Sequence, residues 1–199
     1  MKYIYKILLY TITLFSFISI SNQINSAERE YRQHLKSTDW AIEAQEQVFC
    51  RIKQLIPNYG EAIFTRKSGR EMIFELTSNE LFLKETHIII MAEPAPWRQN
   101  ELSFEIGSFT LKEGHKPLTA GHPYASRMFQ QIENGMMPTI TYRDVADNRD
   151  VITVAISPIK FRNYLNSFRQ CESTLFEYDP EFLRDFELYF ATNKTDLTV

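Results

Sequence analysis

The chain has 199 residues, of which 44% are hydrophobic and 14% aromatic, so it can bury one good core and does not have a disordered composition. Its 22 basic and 25 acidic residues are well mixed and give a net charge of −3, so the sequence shows no electrostatic footprint for nucleic-acid binding. No internal repeat or long linker divides the sequence. These properties predict one domain with no nucleic-acid partner.

The N-terminus has the pattern of an export signal. Two lysines precede an apolar run over 7–20, and small residues follow it. An uncleaved membrane anchor is the alternative, but the charge-free run is shorter than the roughly 20 residues that cross a bilayer, and hydroxyl side chains dilute it. We predict a signal peptide over 1–27, cleaved after Ser21 or Ala27, and a single exported domain over 28–199.

The first elements after the signal are an arm and a hairpin. Segment 28–46 is polar, with Trp40 as its only large anchor, and we expect it to lie on the domain surface. Residues 48–53 alternate between apolar and polar, a Pro-Asn-Tyr-Gly turn follows at 57–60, and the apolar face resumes at 62–64. This order predicts a β-hairpin.

Three more strands are predicted before the middle of the chain. Period-two alternation or short apolar runs bounded by turn residues place them at 71–76, 87–91 and 102–111. The stretch Pro94–Trp97 ends the second of these strands, because proline cannot continue a hydrogen-bonded ladder. We expect Gly107 to bend the third.

The period then changes to that of a helix. Apolar residues recur at i, i+3, i+4 and i+7 from Ala125 to Ile132, Pro123 stands at the first turn, and Gly135 is placed as a C-terminal cap. The pattern predicts an amphipathic helix from about 123 to 134.

The last third combines strands with a second helix. We predict strands at 138–142 and 151–157 around a turn at 146–150, a helix over 161–175, a strand at 186–190 and a polar tail of nine residues. The second of these strands is apolar on both faces, as in a central strand. The fold class is therefore α+β, mainly β: an antiparallel β-sandwich or partly closed barrel with two amphipathic helices.

Export favours a disulfide between the two cysteines of the chain. Cys50 lies on the apolar face of the first strand and Cys171 on the core face of the second helix. An oxidising compartment favours a bond between them, and on the chain-entropy model so long a loop stabilises the fold by roughly 4–5 kcal/mol. Two free buried thiols, or a bridge between two chains, are the alternatives.

No motif has the spacing of a catalytic or metal site. The histidines lack acidic or cysteine partners at ligand spacing, and no nucleophile elbow, phosphate-binding glycine loop or Cys-x-x-Cys is present. The four histidines are His34, His87, His115 and His122. We predict no catalytic residue, cofactor, metal or small-molecule substrate, with a hydrolytic enzyme as the alternative class. Trp40 and Trp97 are the candidates for contact with a partner, each with a place in the core as its alternative.

An ordered set of residues, spread from about Trp40 to Phe190, resembles the N-terminal domain of the MotY family. The set comprises Trp40, Cys50, Ile56–Gly60, Ala62, Phe64, Pro96–Trp97, Ala125, Met128, Gly135, Pro138–Thr139, Tyr142, Ser157, Phe161, Tyr164, Phe168, Cys171 and Leu175. The resemblance implies a β-rich periplasmic domain closed by a disulfide between Cys50 and Cys171.

The resemblance also implies a place in the polar flagellar motor. MotY proteins belong to the T ring around the basal body and, with MotX, hold the torque-generating stators. Their C-terminal OmpA-like domain holds peptidoglycan, and this sequence ends at Val199 without one, so we expect protein partners and no direct peptidoglycan binding. A general cell-envelope interaction or assembly module, outside flagella, is the alternative.

Overall fold

The computed structural model describes residues 27–34, 38–45, 47–78, 85–98, 100–112, 118–143 and 150–175. Within these ranges the chain forms ten strands and two helices. In chain order they are β1 (Glu28–Arg32), β2 (Trp40–Gln45), β3 (Phe49–Ile56), β4 (Gly60–Lys67), β5 (Ile73–Ser78), β6 (Thr86–Pro94), β7 (Phe104–Leu111), β8 (Leu118–Ala120), α1 (Tyr124–Glu133), β9 (Met136–Arg143), β10 (Val151–Ala155) and α2 (Phe161–Glu172). Neither described helix is long and apolar enough to cross a membrane.

The strands form two five-stranded sheets. Sheet I has the order β1-β10-β9-β6-β7, and sheet II has the order β2-β3-β4-β5-β8. The predicted mainly-β α+β class is confirmed, as a sandwich of two sheets that do not close into a barrel. β10 has a hydrogen-bonded neighbour on both sides, as its apolar faces predicted.

Sheet II is built on the predicted hairpin. β3 and β4 pair antiparallel up to Ile56 and Gly60, and Asn58 in the turn takes the left-handed conformation that asparagine tolerates. Because side chains in register point to the same face, one apolar row crosses all five strands of this sheet. The row consists of Ile42, Ile52, Phe64, Phe74 and Ala120.

Sheet I turns a similar row toward the core. Ile90, Ile140 and Val154 stand side by side on β6, β9 and β10, and all three are fully buried. Together the rows of the two sheets supply much of the single hydrophobic core. The burial of each large apolar side chain stabilises such a core by about 1.5–3 kcal/mol.

Helix α1 joins the parts of this core. Its buried residues, Ala125, Met128, Phe129 and Ile132, are the four positions that helical spacing predicted. Gly135 follows the helix with φ of 80°, a conformation that favours glycine. The ring of Phe129 lies 5.4 Å from Phe64 of sheet II and 5.2 Å and 5.3 Å from Phe161 and Phe168 of α2. The aromatic contacts of Phe129 thus connect both helices to sheet II.

The expectation of a surface arm over 28–46 is wrong. β1 pairs in parallel with β10, and β2 pairs antiparallel with β3, so both parts of this segment are sheet strands. β1 is an edge strand, and its charged side chains Glu28, Glu30 and Arg32 remain exposed. Main-chain pairing with β10 holds β1 together with one aromatic contact to the core, between Tyr31 and Tyr59 with ring centroids 5.1 Å apart. The parallel direction of β1 is an exception to the antiparallel expectation.

The predicted bend at Gly107 is a β-bulge. The register between β6 and β7 shifts at Ile90–Met91, opposite this glycine. A Cβ atom on Gly107 would stand 2.4 Å from a ring carbon of Tyr124, whose hydroxyl donates a hydrogen bond to the carbonyl of Ser108 at 3.0 Å. The absence of a side chain at this position lets α1 begin directly on β7.

Several predicted features lie outside the described residues. They are His115, most of the turn at 146–150, the strand at 186–190, the polar tail and the signal peptide, of which only Ala27 is described.

Candidate functional site

The C-terminal end of α2 is bonded covalently to sheet II. Cys50, fully buried on β3, and Cys171, in the last turn of α2, form a disulfide with their Cα atoms 5.9 Å apart. α2 lies against β2 and β3. The intramolecular bond agrees with the expectation from the sequence, and neither cysteine is free.

The N-terminal end of α2 is fixed by Trp40. This tryptophan is only 3% exposed, and its ring makes an edge contact with Phe161 at 4.8 Å. Its indole N–H donates a hydrogen bond to the carbonyl of Ile159 at 3.1 Å. The sequence left open whether Trp40 contacts a partner or lies in the core. The structure places it in the core, where it has little surface to offer a partner.

A buried glutamine fixes the same segment from sheet II. The Nε2 of Gln54 donates to the carbonyl of Ser157 at 2.9 Å, and its Oε1 accepts from the N–H of Ser157 at 2.9 Å. The side chain of Gln54 is fully buried, so both of its polar groups depend on these bonds. Gln54 thus satisfies the main-chain N–H and carbonyl of Ser157, which lies just beyond the end of β10.

A surface hydrogen bond adds to these contacts. The hydroxyl of Tyr164 donates to Oδ1 of Asp39 at 2.8 Å. This bond lowers the pKa of the Asp39 carboxyl, with smaller contributions from the backbone N–H of Trp40 and the charge of Lys160. The same bond raises the pKa of Tyr164. The pair connects α2 to the residue that precedes β2.

An ion-pair cluster holds the two helices together. Arg169 of α2 binds Glu133 of α1 at 2.6 Å and Glu172 at 2.8 Å. Its guanidinium also lies 5.3 Å from the centre of the Phe129 ring, within the range of a cation–π contact. The carboxylate of Glu133 is therefore paired with α2.

An open groove of about 570 Å³ lies between the end of α1, the start of α2 and the connection from β6 to β7. We call it the helix-end groove; its lining residues are Trp97, Arg98, Ile132, Asn134, Gly135, Pro158, Ile159, Lys160, Arg162 and Asn163. Trp97 is 55% exposed, so of the two tryptophans it is the one that offers a surface. A volume of this size accommodates a small ligand or a short peptide segment.

The described residues contain no metal-binding cluster. No group of three or more histidine, cysteine or acidic side chains is placed to hold a metal ion within the described ranges. His122 stands at the surface, with its Nδ1 3.7 Å from a carboxylate oxygen of Glu71, as a loop histidine rather than part of a ligand set.

The sequence pointed to Trp97 as a candidate contact residue but not to the cations beside it. Arg98 follows Trp97 in the β6–β7 connection, whereas Lys160 and Arg162 come from the start of α2. More than sixty residues separate the two groups. No local pattern joins them, and the composition gave no basic stretch.

The fold and these contacts define a class: a two-sheet domain closed by a disulfide, with an exposed tryptophan in a groove at the helix ends. The model of the MotY N-terminal domain family matches residues 31–176, and the chain belongs to that family. It is 23% identical over 165 residues to the sodium-type flagellar protein MotY of Vibrio parahaemolyticus serotype O3:K6 (strain RIMD 2210633). The matched part covers 82% of this chain and 56% of that relative, so the chain spans little more than half of the relative's length.

Proposed function

We propose that this protein is a non-catalytic periplasmic component of the flagellar motor. The observation that carries the proposal is the family match over residues 31–176, which includes both cysteines of the disulfide. The relative's name supplies the setting, since it is a sodium-type flagellar protein. In this role the domain associates with the T ring of the basal body and supports stator assembly.

The proposal includes export of the chain. Residues 1–27 act as a cleaved signal peptide, and 28–199 form the mature domain. The disulfide between Cys50 and Cys171 supports this location, because such bonds persist in oxidising compartments. A thiol assay on denatured protein from the periplasmic fraction is expected to find no free cysteine.

The partners in this proposal are proteins. A MotX-like protein and the basal-body ring are the partners that we assign to this domain. The exposed Trp97 supports a protein contact, because tryptophan is enriched among the residues that dominate interface energy.

Deletion of the gene tests the proposed function. We expect the deletion strain to lose swimming speed and polar foci of fluorescent stator protein, and a plasmid copy of the natural gene to restore both. A deletion strain that swims normally and still assembles polar stators contradicts the proposal. Purification of the tagged protein with other envelope proteins, but never with motor rings, favours instead a general cell-envelope interaction module.

A further inference from the structure

The helix-end groove carries a local positive charge. Its charged lining residues among those described are Arg98, Lys160 and Arg162, all cationic. Glu101 pairs with Arg98, and Asp39 lies close enough to Lys160 to feel its charge, while the carboxylate of Glu133 is bound to α2 instead. Among the described residues no carboxylate forms an ion pair with Arg162, so the groove keeps a local excess of positive charge on a chain whose net charge is −3.

Main-chain acceptors hold the two arginines in position. Arg98 donates to the carbonyl of Asn134, and Arg162 donates to the carbonyl of Glu133 at 3.4 Å. Part of their role is therefore to satisfy carbonyl groups at the end of α1. A guanidinium has five N–H donors, so Arg162 retains donors for a carboxylate after making its bond to the Glu133 carbonyl, whereas Arg98 already pairs with Glu101 as well.

Apolar surface lies beside these charges. Pro158 and Ile159, both half-buried, line the groove between the helix ends together with the buried Ile132, and the exposed Trp97 lines it from the β6–β7 connection. The backbone of Ile159 is itself fixed by its bond to Trp40, so this part of the groove is formed before any partner binds. Tryptophan and arginine are the residue types most enriched where interfaces gain their binding energy. Preformed binding surfaces also lose less conformational entropy on association.

We propose that the helix-end groove binds an acidic segment of a protein partner, with aspartate or glutamate at Lys160 and Arg162 and an aromatic or apolar side chain against Trp97. The inference deepens the proposed function and rests on it for the cellular setting. A concave site fits a peptide chain better than the flat surface of a bilayer. Charge complementarity selects an acidic partner and makes the affinity fall as ionic strength rises.

Selection from a random octapeptide library tests this proposal. The full-length gene is expressed in an exporting host, and the protein is used with its disulfide intact. We expect the selected peptides to be enriched in acidic residues next to an aromatic residue. Enrichment without acidic residues, or no enrichment, overturns the proposal. Binding to vesicles of anionic phospholipid without acidic peptide selection overturns it in favour of a membrane surface.

Matched variants locate the binding. Trp97→Ala and Lys160→Glu are each expected to lower the affinity of the protein for the best selected peptide by about tenfold or more. Leu102→Ala removes an apolar side chain that is 87% exposed outside the groove lining, and Lys67→Glu reverses a charge on β4; both are expected to leave the affinity within about twofold. Equal losses from groove and control variants would refute the assignment of the site.

Complementation then separates this inference from the proposed function. If the natural gene restores swimming and the combined variant Trp97→Ala/Lys160→Glu does not, although it is exported at a normal level, both proposals gain support. If that variant restores swimming fully, the groove is not the motor contact and the inference fails, while the proposed function stands. If deletion of the gene has no motility phenotype, the proposed function fails, and peptide selection still decides the chemistry of the groove.

Discussion

The segment from Ser157 to Lys160 has two differently constructed sides. On the inner side, Trp40 and Gln54 bind its carbonyl and N–H groups, and the disulfide fixes the far end of α2. On the outer side the same segment lines the helix-end groove beside Trp97 and exposed cations. One tryptophan thus stabilises the segment from within, and the other lies where a partner can reach it.

The difference teaches how a small domain can present a defined binding surface. The inner contacts satisfy main-chain groups, so the segment needs no further partner for stability. The outer side chains are then available for recognition. Changes on the inner side are expected to affect the free energy of unfolding, whereas changes on the outer side are expected to affect binding.

Replacing both cysteines is expected to have the largest effect on the inner side. Cys50→Ser/Cys171→Ser should lower the free energy of unfolding by about 4–5 kcal/mol, because the bond closes a loop with a sequence separation of 121. Urea denaturation measures the loss, and the natural protein with reductant is the control that should match the variant. An unchanged unfolding midpoint would show that the bond contributes little.

Truncating each tryptophan compares the two sides directly. Trp40→Ala should cost about 3–5 kcal/mol, because it leaves a cavity against Phe161 and removes the donor for the Ile159 carbonyl. Trp97→Ala should change stability by less than about 0.5 kcal/mol, because the side chain is largely exposed. Thermal and urea unfolding of both variants provide the measurement. If the two variants lose similar amounts of unfolding free energy, the inner and outer sides of the segment do not differ as described.

Gln54→Met tests the polar part of the inner side. The substitution keeps the approximate volume but leaves the N–H and carbonyl of Ser157 without their partner, which should cost about 1–3 kcal/mol. Gln45→Met, at an exposed position near the end of β2, is the matched control and should be nearly neutral. If both variants unfold at the same urea concentration, the buried bonds are not stabilising.

Tyr164→Phe should have the smallest effect, seen in a titration. Without the hydroxyl, the pKa of Asp39 should rise toward its ordinary value, as followed by NMR of the carboxyl carbon. The pKa of Asp39 is lowered in the folded state, so its stabilising contribution is present above the unfolded pKa and is lost as the pH falls through the folded pKa. The stability difference between the variant and the natural protein should therefore shrink in acid.

Glu43 is the internal control for that titration. Its pKa is lowered by hydrogen bonds from Lys53 and Arg51, which do not involve α2. It should titrate identically in the natural protein and in Tyr164→Phe. A shift at Glu43 as large as that at Asp39 would indicate a general change of structure rather than loss of one bond.

Local patterns in the sequence predicted the elements that carry their own signals. α1 has four apolar positions at helical spacing between Pro123 and Gly135, and the β3–β4 hairpin has its turn residues at 57–60. β1 has no such signal, because its sequence is charged and its partner β10 is more than a hundred residues away. Propensity and periodicity act over one element, whereas pairing of an edge strand depends on the whole fold.

The candidate site was only partly predictable for the same reason. A single tryptophan has no period, so sequence alone could not distinguish the buried Trp40 from the exposed Trp97. The charge of the helix-end groove arises where Arg98 meets Lys160 and Arg162 in space. Such a meeting depends on the tertiary fold, which neither composition nor spacing reports.

The pairing of β1 with β10 has a consequence for biosynthesis, because a polypeptide leaves the ribosome or a translocation channel with its N-terminus first. β1 has no partner strand, Trp40 has no acceptor carbonyl and Cys50 has no second sulfur until residues 151–171 have emerged. Contacts so distant in sequence close slowly. A product truncated before residue 150 would lack the β1–β10 pairing, the hydrogen bond of Trp40 and the disulfide together.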